Sequence, residues 1–97
     1  MSTKQDRNLV ITPICLKALR GTSLGKGELA VLWYLASTLP SMGDVVSHAT
    51  LGKELSINAG NTSKFVRHLR EIGFIMRGSK VGVSYHYKLN PAFFRIL

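Results

Sequence analysis

Residues 47–75 read SHATLGKELSINAGNTSKFVRHLREIGFI, and the spacing of their apolar side chains decides the fold. Ser47 can cap a helix over His48 to Leu55, since a serine oxygen accepts a bond from an orphan N–H of the first turn. Leu51, Gly52 and Leu55 share the inner face of that helix. Ser56-Ile57-Asn58 makes a tight connection. A further helix runs from about Ala59 to Ile72, with Thr62, Phe65, Val66, Leu69 and Ile72 inward at spacings of three and four. Gly73 stands at its C′ position. Two helices joined this closely cross at short range, so a large side chain at position 52 would hold them apart. Glycine serves there at some cost in helix propensity, where alanine is the usual residue.

Upstream, Leu29, Leu32, Trp33, Leu35, Ala36 and Leu39 predict another amphipathic helix. Ser23 or Gly25 can cap it, Glu28 sits in the first turn where the helix dipole favours an acid, and Pro40, Ser41 and Gly43 end it. Asp44-Val45-Val46 is a very short β-branched run. Leu9 to Ile14 is apolar but holds a proline, which suits an edge strand or an extended arm. Cys15 to Leu19 predicts a short helical turn stopped by Gly21, and the polar residues Met1 to Asn8 are expected to fray.

Downstream, Phe74 to Arg77 predicts a strand and Gly78 to Gly82 a turn. In Val83 to Leu89 the residues Val83, Tyr85, Tyr87 and Leu89 alternate with Ser84, His86 and Lys88, so the two runs predict a β-hairpin. Asn90-Pro91 reads as an N-cap and first helical residue opening a short C-terminal turn.

Helix, short strand, helix, tight turn, helix and hairpin make the winged helix order. The predicted class is therefore α+β, mainly helical: a winged helix-turn-helix with a three-helix core and a β-hairpin wing. Residues 1–23 form an N-terminal arm and candidate dimerisation segment, and residues 24–97 the winged helix-turn-helix domain. The run Leu51-Gly52-Lys53-Glu54-Leu55-Ser56-Ile57-Asn58, continued by Leu69-Arg70-Glu71-Ile72-Gly73-Phe74-Ile75, resembles the motif of bacterial regulators such as the MarR family. Tyr85 to Phe94 resembles the strand, Asn-Pro and aromatic that close the winged helix of RepL-type plasmid replication proteins. The resemblance spans roughly Leu24 to Phe94. It implies a DNA-binding protein of transcription regulation or of plasmid replication or partition.

Charge points the same way. Thirteen Lys and Arg against five Asp and Glu give a net charge of +8 over 97 residues, which favours a polyanionic partner. Nucleic acid is the commonest such partner. A membrane surface, or a basic surface that serves only solubility, is the alternative. The chain is long enough for one domain, and its 45% hydrophobic content is that of a globular protein rather than a disordered one. One cysteine, Cys15, rules out an intrachain disulfide. No signal-peptide order and no long apolar run is present. A cytoplasmic protein, associated with nucleoid or plasmid, is expected.

The outward face of the Ala59–Ile72 helix carries Ala59, Gly60, Asn61, Ser63, Lys64, Arg67 and His68, short residues followed by cations. A recognition helix sets its N-terminal residues against base edges in the major groove, so small residues there admit close approach. Asn61 suits adenine, and Lys64 or Arg67 suits guanine or a phosphate. A solvated helix face is the competing reading of the same residues. Ser47 and His48 would meet DNA at the preceding helix N-terminus, and Arg77, Ser79 and Lys80 would form the wing against phosphates or the minor groove. Trp33, Phe65, Phe74, Tyr85 and Tyr87 are either core or platforms for single-stranded bases, and their spacing favours core. One of Tyr85 and Tyr87 can keep its hydroxyl at the surface.

Catalysis and metal binding find no motif. His48, His68 and His86 are widely separated, no carboxylate pair sits in a motif, and Gly25-Lys26-Gly27 lacks the frame of a phosphate loop. No cofactor, metal or small-molecule ligand is expected. The expected partners are double-stranded DNA and a second copy of the chain. The alternative is a winged helix that binds RNA or protein without reading duplex DNA.

Overall fold

Local signals place most elements, and long-range pairing places the rest. The computed structural model describes residues 8–97; the preceding polar segment, expected to fray, lies outside the described residues. The order is β1 (Leu9–Ile11), α1 (Pro13–Gly21), α2 (Lys26–Thr38), β2 (Asp44–Val46), α3 (His48–Leu55), α4 (Ala59–Ile72), β3 (Ile75–Val81), β4 (Ser84–Leu89) and β5 (Phe94–Ile96). Among the described residues the domain is α+β, with four helices and an antiparallel sheet of order β2-β4-β3. This arrangement is compatible with a winged helix.

The α3–α4 pair forms as its spacing predicts. Ser47 Oγ accepts from the Thr50 N–H at 3.2 Å, and Asn58 Oδ1 accepts from the Asn61 N–H at 2.8 Å. Ser56 turns the chain out of α3 at φ 58°, and Gly73 ends α4 at φ 108°. Thr62, fully buried, donates to the Asn58 carbonyl at 2.9 Å, which satisfies a hydroxyl in the core.

At position 52 the close crossing is tighter than the sequence suggests. A β-carbon there would stand 2.6 Å from both the Ile57 carbonyl oxygen and Thr62 Oγ1. Alanine is therefore not a neutral choice at this place. Gly52→Ala is expected to destabilise the fold by about 1–3 kcal/mol through overpacking, against a gain of about 1 kcal/mol in helix propensity. A urea midpoint equal to or above the wild-type value would show that the crossing has room.

The core draws on every layer. Leu32, Leu35, Leu69, Phe74, Ile75 and Val66 are each at most 1% exposed, and Cys15 and Phe94 join them from the flanking segments. In α2 the buried positions include Val31, whereas Trp33, expected inward, is 40% exposed and packs edge-on against Phe94 at 6.5 Å. The α2 sequence is apolar on several sides, so its pattern alone does not decide between neighbouring faces. Its N-cap is Gly25, with Glu28 bonded back to the Gly25 N–H at 2.9 Å.

Three expectations need correction. Among the described residues the helices number four, because α1 is a full helix rather than a turn over Cys15 to Leu19: Thr12 accepts from the Cys15 N–H and Pro13 begins the helix. The first hairpin strand runs through Gly78 to Val81 with a register break between Arg77 and Lys80, so the bend is Gly82-Val83 and not Gly78 to Gly82. A bulge absorbs the one extra residue, which spares the pairing on either side. Val83 is thus at the bend and 97% exposed, not on the inner face of β4. Asn90-Pro91 opens a turn that leads into β5, and Asn90 pins that turn by donating to the Gly73 carbonyl at 2.8 Å.

The segment read as an arm is joined to the rest. β1 pairs antiparallel with β5, Leu9 opposite Ile96 and Ile11 opposite Phe94. No helix among the described residues is long and apolar enough to cross a membrane.

Candidate nucleic-acid interface

Burial of Thr62, Val66 and Leu69 rotates the rest of α4 outward. Ala59, Gly60, Asn61, Ser63, Lys64 and Arg67 are all exposed. Read along the helix, this face offers two residues with almost no side chain, then two polar groups, then two cations. Asn61 is exposed at the first turn, where its N–H is already held by the Asn58 cap.

His68, one turn beyond Lys64, stands at the edge of that face with its side chain 41% exposed. Its Nδ1 is bonded to Glu28 on α2. Burial opposes ionisation of Glu28, but the Gly25 N–H and the hydrogen bond and charge of His68 outweigh it and hold the carboxyl below its ordinary range. The pair therefore fastens α4 to the start of α2.

The hairpin stands beside the N-terminus of α3. A cleft of about 300 Å³ between them is lined by Ser47, His48, Ala49, Ser63, Val83, Ser84 and Tyr85. Four hydroxyls and an imidazole thus surround one groove. Ser47 spends its oxygen as the α3 cap. His48 spans the groove floor: Nδ1 is 2.9 Å from Ser63 Oγ on α4, and Nε2 is 3.1 Å from Tyr87 Oη on β4. The imidazole also stacks on the Tyr87 ring at 5.9 Å. Burial pushes the His48 pKa down, so the ring is neutral at pH 7.

The cations expected in a wing lie on the β3 strand of the hairpin rather than at its tip. The Arg77 guanidinium sits 4.3 Å from the centre of the Tyr85 ring and the Lys80 ammonium 6.0 Å from it, so both are drawn to one aromatic ring. Ser79 is exposed between them in the bulge. The tip itself is apolar, formed by Val81 and Val83 around Gly82. Ser63, His48, Tyr85, Arg77 and Lys80 therefore border one surface with the outward face of α4.

Of the two candidate tyrosines, Tyr87 is only 2% exposed and Tyr85 is partly buried. Sequence reasoning missed the link from His48 to Tyr87, since the two are 39 residues apart. The alternation of β4 does set Tyr87 inward, which was the one available signal. Among the described residues no three His, Cys, Asp or Glu side chains gather where a metal ion would bind. Cys15 is buried and its thiol pKa is raised by that burial, which keeps it protonated. The chain matches no protein-family model and no curated protein.

Proposed function

We propose that the protein is a winged helix-turn-helix domain that binds a specific site on double-stranded DNA. The observation that carries this reading is the exposed face of α4, small at its start and cationic further on, bordered by the Arg77 and Lys80 strand in a chain of net charge +8. In this reading α4 enters the major groove with Gly60, Asn61 and Ser63 nearest the bases. Lys64 and Arg67 take guanine or phosphate. The start of α3 and the β3–β4 hairpin rest on the backbone, which fixes register without reading sequence. The biological setting is a transcriptional repressor or a control factor of plasmid replication or partition, which draw on the same domain.

A homodimer belongs to the proposal. Ile14 and Leu16 on α1 are 58% and 50% exposed, and Val10 on β1 is 39% exposed, a set of apolar side chains that a second copy would cover. Two-fold symmetry would set two α4 helices on half-sites about 34–36 Å apart. A monomer by light scattering, both free and on its site, rules the dimer out.

The deciding experiment is selection of bound duplexes from a random pool, followed by salt titration on the enriched sequence. One enriched site, with affinity falling steeply as salt rises, supports the reading. Weak, salt-sensitive binding to every duplex overturns specific recognition and favours RNA or a protein partner. On the enriched site, Lys64→Ala or Arg67→Ala is expected to cost about 1–3 kcal/mol where the residue reads a base. A loss that is equal on all sequences identifies a phosphate contact instead.

A further inference from the structure

We infer that Tyr87 and His48 act as positioning residues that keep the Ser63 hydroxyl hydrogen free for an acceptor atom on the DNA. The inference rests on the proposed reading of α4, and it concerns the polarity of one contact within it. The geometry leaves two ways to distribute the protons along Tyr87, His48 and Ser63. In one, the Tyr87 hydroxyl donates to His48 Nε2, and Nδ1–H donates to Ser63 Oγ. In the other, Nε2–H donates to Tyr87 Oη, and Ser63 donates to Nδ1.

Burial decides between them. Tyr87 is 2% exposed, and His48 is the hydrogen-bond partner of its hydroxyl among the described residues. The second arrangement would leave the phenol hydrogen buried with no acceptor, which costs the desolvation of that group. The first satisfies it. It also pairs the stronger acid, the phenol, with the stronger base, the imidazole nitrogen. Burial raises the Tyr87 pKa, with Arg77 and Arg70 pulling against it, so the phenol keeps its proton. The imidazole, neutral by burial, has one nitrogen free to accept it.

The consequence falls on Ser63. Having accepted from Nδ1–H, its own O–H points away from His48 and stays available on the exposed face of α4. Phosphate oxygens, N7 and O6 of guanine, N7 of adenine and O4 of thymine are all acceptors of that hydrogen. With the other tautomer the hydrogen would be spent on His48, and Ser63 would offer a phosphate nothing. A buried tyrosine thereby sets what a surface serine can recognise.

The test has one arm without DNA and one with it. Nitrogen NMR of the histidine rings at about pH 8, above the ordinary imidazole pKa of about 6.5, reads the tautomer directly. Wild-type His48 is expected to carry its proton on Nδ1, and Tyr87→Phe is expected to release it toward Nε2. A wild-type proton on Nε2 overturns the inference, whatever the DNA result. In the binding arm, Ser63→Ala and Tyr87→Phe are each expected to weaken the enriched duplex roughly three- to tenfold, the worth of one hydrogen bond. The double variant should be no weaker than Ser63→Ala alone, and additive losses would overturn the coupling. Loss on all duplexes assigns the Ser63 acceptor to phosphate, and loss at one base position assigns it to that base. If Tyr87→Phe fails to fold, the wild-type tautomer decides alone, since a proton on Nε2 overturns the inference and one on Nδ1 upholds the proton order. Absence of duplex binding in the wild type would overturn the reading of α4 and, with it, the role given to Ser63. The tautomer arm would still report on the proton order by itself.

Discussion

Gly43→Ala is expected to lower folding stability by about 2–5 kcal/mol, combining about 1–2 kcal/mol for a left-handed residue with a β-carbon and about 1–3 kcal/mol for overpacking. Gly43 has φ +83° and closes the turn after α2 by donating to the Pro40 carbonyl at 2.8 Å. A β-carbon there would overlap the Tyr87 carbonyl oxygen and stand 2.7 Å from the Lys88 β-carbon. Those atoms belong to β4, the central strand, and cannot retreat without disturbing the Asp44–Tyr87 pairing. The loss is a large part of the roughly 5–15 kcal/mol that holds a typical domain together. Gly21→Ala is the control, since nothing lies within 4 Å of its β-carbon position and its φ is ordinary. Equal denaturation midpoints for the two variants would show that the turn tolerates a side chain.

Gly60→Glu is expected to raise stability while abolishing duplex binding. The new side chain has space, with Asn58 Oδ1 at 3.6 Å as its nearest neighbour. It replaces a poor helix former, a gain of about 0.8–1 kcal/mol. It also places an acid in a first turn that has none, worth about 0.3–1 kcal/mol with the helix dipole. On the proposed interface the same carboxylate faces DNA, and like charges in contact cost several kcal/mol, about a hundredfold or more in affinity. Melting temperature and anisotropy on the enriched duplex should therefore move in opposite senses. Full affinity in this variant would remove α4 as the reading element.

The helix pair was legible because its signals are local. Ser47 and Asn58 cap it, Gly73 ends it, and the apolar spacing fixes its inner face, so α3 and α4 lie where the sequence sets them. The α1 helix had a comparable signal in Thr12-Pro13, a cap followed by a residue suited to the first turn, which the apolar run around it obscured. Gly78 was read as punctuation, yet it serves a strand: a β-carbon there would stand 3.3 Å from His86 Nδ1 across the ladder, and with Ser79 it makes the bulge between the paired Arg77 and Lys80. The candidate site divides in the same manner. The exposed residues of α4 follow from helical period alone. The fastening of His68 to Glu28, 40 residues away, and of His48 to Tyr87, depends on packing between elements. β5 was missed for that reason too, since a three-residue strand is defined by its partner and not by its own pattern.

The pairing of β1 with β5 also orders events in time. Thr12 donates to the Ala92 carbonyl, 80 residues further along the chain, and Leu97 donates to the Asn8 carbonyl at 2.9 Å. On the ribosome β1 emerges ahead of α1 to β4 but has no partner until all of these and β5 have been made. The α3–α4 pair, closed by contacts within about one turn of its linker, has no such wait. Closing the long loop carries an entropy cost that only the assembled core can offset. The nascent chain therefore holds a strand with free hydrogen-bonding groups until β5 follows, and this is the interval in which it is open to a chaperone or to the same strand of another copy.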